Sequence, residues 1–405
     1  MSAVTSCRSC GSGDLTEVLD LGDQRLSDFR DDGGTSPSYP LTLLLCLSCR
    51  LPQLSHTVPP TELYHPRYSF RSGVNETVVA DLASVAAYAY AHARVRADRR
   101  GRGRWLDVAS NDGTLLSFVP RELHRTGIDP LEQLADEARR HADRVVVDLF
   151  DPDHFRDDEF DVITAVSVFY DVDDLDAFVT GVERVLAPDG AWVIQQNYLP
   201  AMLENNSVDN ISHEHLTYHS LGTLTPLLAR HGLEVTDAAT STVNGGCLRT
   251  LVTRAGARPV SSSVATLAAA EEARRLGDPA TYRRFADRTR AVLDDLREVV
   301  SAVTDAGRTV FVYGASTRGG TLWQAAGLTS RDLPYVVDRN PAKVGRVMTA
   351  LGSPIISEDA ARRDPPDYLL VGPWWLRDSF LARERRFTEN GGRFIFPLPE
   401  VEVVP

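Results

Sequence analysis

The sequence predicts an α/β protein in three parts, a small metal-held head followed by two strand–helix alternations. Three observations predict it. Two C-x-x-C pairs, Cys7/Cys10 and Cys46/Cys49, bracket a turn-rich, helix-poor N-terminal segment. From Trp105 short apolar runs alternate with amphipathic segments, the pattern of a parallel, doubly wound sheet. A second such alternation starts near Thr309.

The head spans residues 1–78. It contains the loop "DDGGTSP" and too little periodic apolar sequence for a core of its own. Four thiolates can close a tetrahedral zinc site with no open position, which makes the metal structural and lets it supply folding free energy. The two pairs are separated by 35 residues. Paired C-x-x-C knuckles favour a metal over disulfides in a cytosolic chain. Four ordinary buried cysteines are the bland alternative. Cys247 stands apart.

An amphipathic helix is predicted from Asn75 through "NETVVADLASVAAYAYAHARVRADRR", broken by "GRGR". The middle part, 79–256, then reads in order. "RWLDVA" is a strand and "SNDGTLLSFV" a turn into a helix. "HRTGIDP" is a strand ending at Asp129, and "LEQLADEARRHA" a helix. "RVVVDLF" and "FDVITAVSVF" are strands, "LDAFVTGVERVLAPDG" a helix with a clean stop, and "AWVIQQNYL" a strand. A charged helical bridge covers about 261–306. In the last part, 257–405, "TVFVYGA", "PYVVDRN", "PDYLLVGP" and "GGRFIFPLP" are strands and "STRGGTLWQAAGL" a helix.

The composition narrows the function. The chain has 405 residues, 43% of them apolar, and a net charge of −13. That charge argues against general nucleic-acid binding and against an anionic membrane surface. No run of 18 apolar residues is present, and "MSAVTSCRSC" has no apolar signal core, so a cytoplasmic protein without a membrane span is expected.

In such a fold the ligand lies at the carboxyl ends of the strands. "LDVASNDGTLL" puts a tight turn there, whose backbone N–H groups can receive a carboxylate. Asp129 ends the next strand, where a carboxylate accepts both hydroxyls of a ribose. Asp148 ends the third, where it meets an adenine amine. An adenosyl group with an amino-acid tail is S-adenosylmethionine, and the dinucleotide pattern G-x-G-x-x-G is absent. A generic α/β domain with acids at its strand ends is the alternative.

"ISHEHLTYHS", residues 211–220, leaves three readings open: a metal site, polar core, or an acid–base centre. On a strand His213 and His215 would share a face. A histidine neutral near pH 7 can take a proton, with Glu214 orienting it. "YGASTRGGTLWQ" suggests either an anion-binding turn or a helix capped by Ser316 or Thr317.

The whole chain resembles the sugar C-methyltransferases, enzymes that methylate a carbon of nucleotide-linked deoxy keto-sugars. The resemblance rests on "CRSCGS", "LDLGDQRLSDF" and "LLLCLSCRLPQL" in the head. In the middle it rests on "YSFRSGVNET", "SNDGTLL", "VFYDVDDLDAFV", "QQNYLPAMLENNSVDNISHEHLTYHSL" and "NGGCLR". In the tail it rests on "VYGASTRGGTLWQAAGL", "VDRNPAKVGR" and "DYLLVGPWWLRDSF". It implies a zinc-binding head, a Rossmann-like domain for S-adenosylmethionine and a second, degenerate Rossmann-like domain contributing to the nucleotide-sugar site. It implies zinc on Cys7, Cys10, Cys46 and Cys49. The cofactor falls to Asp107, Ala109, Ser110, Asn111, Asp112, Gly113, Asp129, Pro130, Asp148, Leu149 and Ser167. The family's H-E-H falls on His213, Glu214 and His215. His215 is then the base, held by Glu214, with Tyr218 or Asn197 as donor to an enolate oxygen. Tyr68, Phe70, Arg71, Asn75, Asp171, Asn197, Tyr198 and Asn244 fall at the substrate, and Arg318, Lys343 and Arg377 are candidates for its diphosphate.

The implied reaction is methylation next to the ketone of a dTDP-linked 4-keto-6-deoxyhexose, at C3, in deoxysugar or antibiotic biosynthesis by a monomer or weak dimer. Rival readings are an O- or N-methyltransferase, a zinc hydrolase using H-x-H, and a cofactor-binding module without catalysis. The chain departs from the family in having Ala109 for a glycine, Asp171 for a histidine, Ser212 for a tyrosine or cysteine, and Gln195 for a glutamate.

Overall fold

The computed structural model describes residues 2–31, 33–93 and 102–405. The predicted alternation folds into two sheets. In the first, seven strands run in the order 233–241, 247–254, 186–197, 160–166, 104–108, 124–128, 144–146. The five from 186–197 onward are mutually parallel, and Cys247–Arg254 is antiparallel to both its neighbours. The central Arg104–Val108 and Phe160–Val166 strands are almost wholly buried, because helices cover both faces of a parallel sheet.

Boundaries differ from the sequence reading in three places. The helix after Asn75 covers Glu76–His92, with the Asn75 side chain accepting from the Thr77 N–H, and the rest of the expected helix lies outside the described residues. The third strand is only Arg144–Val146, so Asp148 lies in the loop beyond it. The helix Leu175–Val185 stops short of "LAPDG", and Leu186–Asn197 is already strand.

The second sheet has eight strands, ordered 402–404, 393–396, 368–371, 310–313, 336–338, 353–357, 347–348, 29–30. The last belongs to the head: Phe29 and Arg30 pair with Met348 and Val347. The charged bridge is two helices, Ser262–Ala273 and Pro279–Asp305. Among the described residues no helix is long and apolar enough to cross a membrane.

The head itself is a three-stranded antiparallel sheet of Leu15–Arg25, Ser38–Cys46 and Pro52–Leu54. It is not free-standing. Cys7, Cys46 and Leu51 belong to one buried cluster with Phe169, Leu224 and Trp192 of the first sheet's layer. The third head strand also holds the middle domain directly. The Leu54 N–H donates to the Leu216 carbonyl (2.9 Å), and the Tyr218 N–H to the Pro52 carbonyl (3.0 Å).

Candidate active site

The turn after Val108 is built from left-handed residues. Ala109 (φ 59°), Asn111 (φ 50°) and Gly113 (φ 80°) alternate with Ser110 and Asp112. Gly113 is required: a Cβ there would sit 2.8 Å from the Ala138 Cα. Ala109 takes a backbone conformation that glycine adopts without strain, which is where the resemblance expects glycine. Asp129 anchors the turn by accepting the N–H groups of Asn111 and Leu131, both at 2.9 Å. Burial pushes its carboxyl upward. Asp107 accepts the Thr164 hydroxyl at 2.6 Å, and burial raises it to about 7.

This turn forms one wall of a cavity of about 680 Å³ at the carboxyl ends of the strands. Asp107, Ala109, Ser110, Asn111, Asp129, Pro130, Asp148, Leu149 and Ser167 all line it. The Ser110 hydroxyl is buried without a partner, and Ser167 is itself left-handed (φ 54°). Asp148 is exposed and bound to His154 Nε2 at 3.0 Å, which lowers its carboxyl. Asp112 and Gly113 do not line the cavity. The Asp112 carboxylate accepts the Gly73 N–H (2.8 Å) and the Thr114 hydroxyl (2.6 Å), so it pins the 70–74 loop to the turn.

That loop and the segment before it close the far wall. Tyr64, Tyr68 and Phe70 line the cavity. Arg71 does not, because it forms an ion pair with Glu137. Asn75 is spent as the cap of the Glu76–His92 helix. Asp81 and Tyr64 are cavity residues that the sequence reading passed over. Asp81 accepts from Gln195 (2.5 Å), and Tyr64 donates weakly to Asp171 (3.4 Å). The tyrosine pair in "YHPRY", with Tyr68 already a candidate, is the signal that could have found Tyr64.

The stretch 211–220 contains no regular strand, so His213 and His215 do not share a face. His213 faces the head: its Nε2 lies 3.1 Å from the Tyr39 carbonyl, and its ring is edge-on to Tyr39. It does not line the cavity. His215 points to a separate void of about 10 Å³, shared with Asn197, Tyr198 and Tyr218. Its Nδ1 lies 2.7 Å from the Asn210 carbonyl, and burial lowers it to about 4. The backbone, not Glu214, orients this ring. Glu214 instead lines the large cavity and makes no hydrogen bond or ion pair among the described residues. Burial alone raises its carboxyl to about 7.

The expected enolate donors are also displaced. The Asn197 amide donates to Asn210 Oδ1 at 2.8 Å, and the Tyr218 hydroxyl is buried without a partner beside His215. Tyr198 donates to Glu271 of the helical bridge at 2.9 Å. Asp171 and Asn244 do line the cavity.

The three C-terminal cations are committed elsewhere. Arg318 forms a buried ion pair with Asp209 (2.8 Å), donates to the Asn244 carbonyl (2.8 Å) and stacks on Trp375. It fastens the C-terminal domain to the middle one. Lys343 donates to the Ala315 carbonyl at 2.6 Å, and Arg377 grips Glu402 with two nitrogens (2.6 and 2.8 Å). Ser316 accepts the Gly319 N–H, which settles that turn as a helix cap. The cavity wall carries nine acidic residues and no arginine, lysine or histidine among the described residues. It therefore suits a cation and offers no counter-charge to a diphosphate.

The four head cysteines have their sulfurs within 4.8 Å of one another, with Cys7–Cys49 at 3.4 Å and Cys10–Cys46 at 3.6 Å. Tetrahedral zinc with Zn–S near ~2.3 Å separates sulfurs by roughly 3.8 Å, so the set fits. The two knuckles match. The Gly11 N–H donates to the Cys7 carbonyl and the Arg50 N–H to the Cys46 carbonyl, each at 2.9 Å, and both donor residues are left-handed. Among the described residues this is the one cluster able to hold a metal.

An acid at the end of each of the first two strands, an orphaned hydroxyl between them and a four-thiolate head define an S-adenosylmethionine-dependent methyltransferase with a zinc site. Family models match the three regions: a zinc-binding domain over residues 7–64, a methyltransferase domain over 83–238 and a C-methyltransferase C-terminal domain over 242–399. The chain is 32% identical over 416 residues to the C-methyltransferase NovU of Streptomyces niveus, covering 99% of this chain and 97% of that protein. It belongs to the C-methyltransferase family. Solved structures are more distant. The mitomycin 7-O-methyltransferase MmcR is 21% identical over 44% of this chain and 54% of its own, with a TM-score of 0.35. The Burkholderia thailandensis 1,6-didemethyltoxoflavin-N1-methyltransferase, solved with S-adenosylhomocysteine, is 16% identical over 44% and 80%, with a TM-score of 0.33.

Proposed function

We propose that the protein methylates the carbon next to the ketone of a dTDP-linked 4-keto-6-deoxysugar, at C3, and that Glu214 takes the proton from that carbon. The observation that carries this reading is an unpaired carboxyl, raised to about 7, on the wall of the cofactor cavity. A general base works best when its proton affinity is matched to the working pH. The sugar class rests on the sequence resemblance.

S-adenosylmethionine supplies an electrophilic methyl group on a sulfonium. The remaining work belongs to the chain. Asp129 is placed to hold the ribose, and the Ser110–Asn111 turn to meet the amino-acid tail. Tyr64 and Tyr68 keep water from the reacting face. Glu214 holds the abstracted proton on its carboxylate. His215 stays neutral, fixed through its Nδ1. The nucleotide diphosphate lies outside the acid-lined cavity.

The test is turnover of a panel of nucleotide-linked 4-keto-sugars, each beside its 4-hydroxy counterpart, with the product read by NMR. A new carbon–carbon methyl on the keto-sugar alone supports the reading. A methyl ether or methylamine, or equal turnover of the reduced sugar, refutes it.

A further inference from the structure

We propose that Asp171 is the hydrogen-bond donor to the substrate's ketone oxygen, facing Glu214 across the cavity as acid to its base. The inference rests on the ketone reading above and assigns the electrophilic half of that reaction. Asp171 replaces the histidine that the resemblance expects, so the role belongs to this chain's own side chain.

Geometry carries it. Asp171 ends the short helical turn Phe169–Asp171 after the Phe160–Val166 strand and lines the same cavity as Glu214. One of its oxygens is buried with no partner, and the other has only the Tyr64 hydroxyl at 3.4 Å. An ionised carboxylate normally collects several donors when buried. No lysine, arginine or histidine is paired with it among the described residues. The groups facing it are Glu214 and the phenols of Tyr64, Tyr68, Tyr170 and Tyr218. Burial first, then the negative charge of Glu214, raises its carboxyl well above the usual range. Two facing carboxyls without a cation cannot both ionise cheaply, so one stays protonated. An Asp171 oxygen is buried without a partner, whereas neither Glu214 oxygen is so enclosed, and Asp171 keeps the proton. Tyr218 and Asn197, the donors expected from sequence, face the small void instead.

The step balances. The α C–H bond breaks, its proton goes to a Glu214 oxygen, and its electron pair forms the C=C bond. The carbonyl π pair moves to oxygen, where the Asp171 O–H stabilises it by a hydrogen bond. When the carbon bonds the methyl group, the sulfonium S–C pair returns to sulfur and C=O reforms. Such a donor, aimed where charge develops, contributes roughly 10²–10³ in rate.

Two measurements decide. At alkaline pH, where Asp107 and Glu214, both at about 7, are ionised, infrared spectra of the protein with S-adenosylhomocysteine should show the carbonyl stretch of a protonated carboxyl in wild type and lose it in Asp171→Asn. If that band is absent from wild type, or survives in the variant, Asp171 is not the donor. This arm needs no sugar. In the second, exchange of the keto-sugar α-hydrogen in deuterated water is compared among wild type, Asp171→Asn and Asp171→Ala. Asparagine keeps a neutral donor and should lose less than about tenfold, whereas alanine should lose roughly 10²–10³-fold. Affinity for S-adenosylhomocysteine should hold in both. An alanine variant exchanging like wild type overturns the Asp171 assignment while leaving the ketone chemistry intact. Methyl transfer to oxygen or nitrogen instead would sink the ketone reading itself.

Discussion

Replacing Glu214 by glutamine separates the two residues that could serve as base. Glutamine keeps the size of the side chain and removes its proton-accepting charge. Glu214 has no hydrogen bond to lose. Its ordinary value is near 4.5, and burial raises it to about 7, so ionising it in the folded protein costs stability above about pH 4.5, a cost that stops growing at about pH 7. At pH 8 the variant should therefore melt no lower than wild type. Its kcat should fall by roughly 10²–10⁴, or about 2.7–5.5 kcal/mol of barrier. The pH profile gives a second, independent reading. A base works deprotonated, so wild-type kcat should rise with pH and level off near the Glu214 value of about 7. His215 sits at about 4, so a His215 base would put the bend there instead. His215→Asn should retain most of the rate. An acid limb near 4, with the large loss falling on His215→Asn and little on Glu214→Gln, refutes the assignment.

Asp129→Ala should weaken S-adenosylmethionine binding about 10- to 100-fold by calorimetry, the worth of a hydrogen bond to a charged group, and leave sugar affinity unchanged. Equal losses for both ligands would remove Asp129 from the cofactor site. Cys46→Ser, or chelation, should lower the melting temperature on the order of 5–10 °C for a loss of a few kcal/mol. Activity should fall with it, because the Pro52–Leu54 strand that holds Leu216 and Tyr218 hangs from the same knuckle. A zinc-free protein with wild-type melting and turnover would contradict both.

The positions of Asp107 and Asp129 were readable in the sequence, because each strand–turn–helix passage fixes where the strand's carboxyl end falls. The zinc ligands were readable because each pair is local. The C-terminal cations were not. Whether an arginine is free depends on a partner far along the chain, and Arg318 meets Asp209 while Arg377 meets Glu402. The group that holds His215 was hidden for a related reason. It is a backbone carbonyl, which no side-chain pattern reveals. The sequence left the backbone of 211–220 open, because its pairing is with the head's distant Pro52–Leu54 strand, and only at isolated positions. Asp148 missed its strand end because the third strand is so short.

The acid-lined cavity also bears on turnover. Methyl transfer removes a positive charge from the cofactor: the sulfonium becomes a neutral thioether. The ionised acids of a wall that no arginine, lysine or histidine lines among the described residues attract the first and have little hold on the second. The wall that recruits the cofactor therefore loosens its grip when the chemistry is done. Product escape is favoured by the ligand's own change of charge.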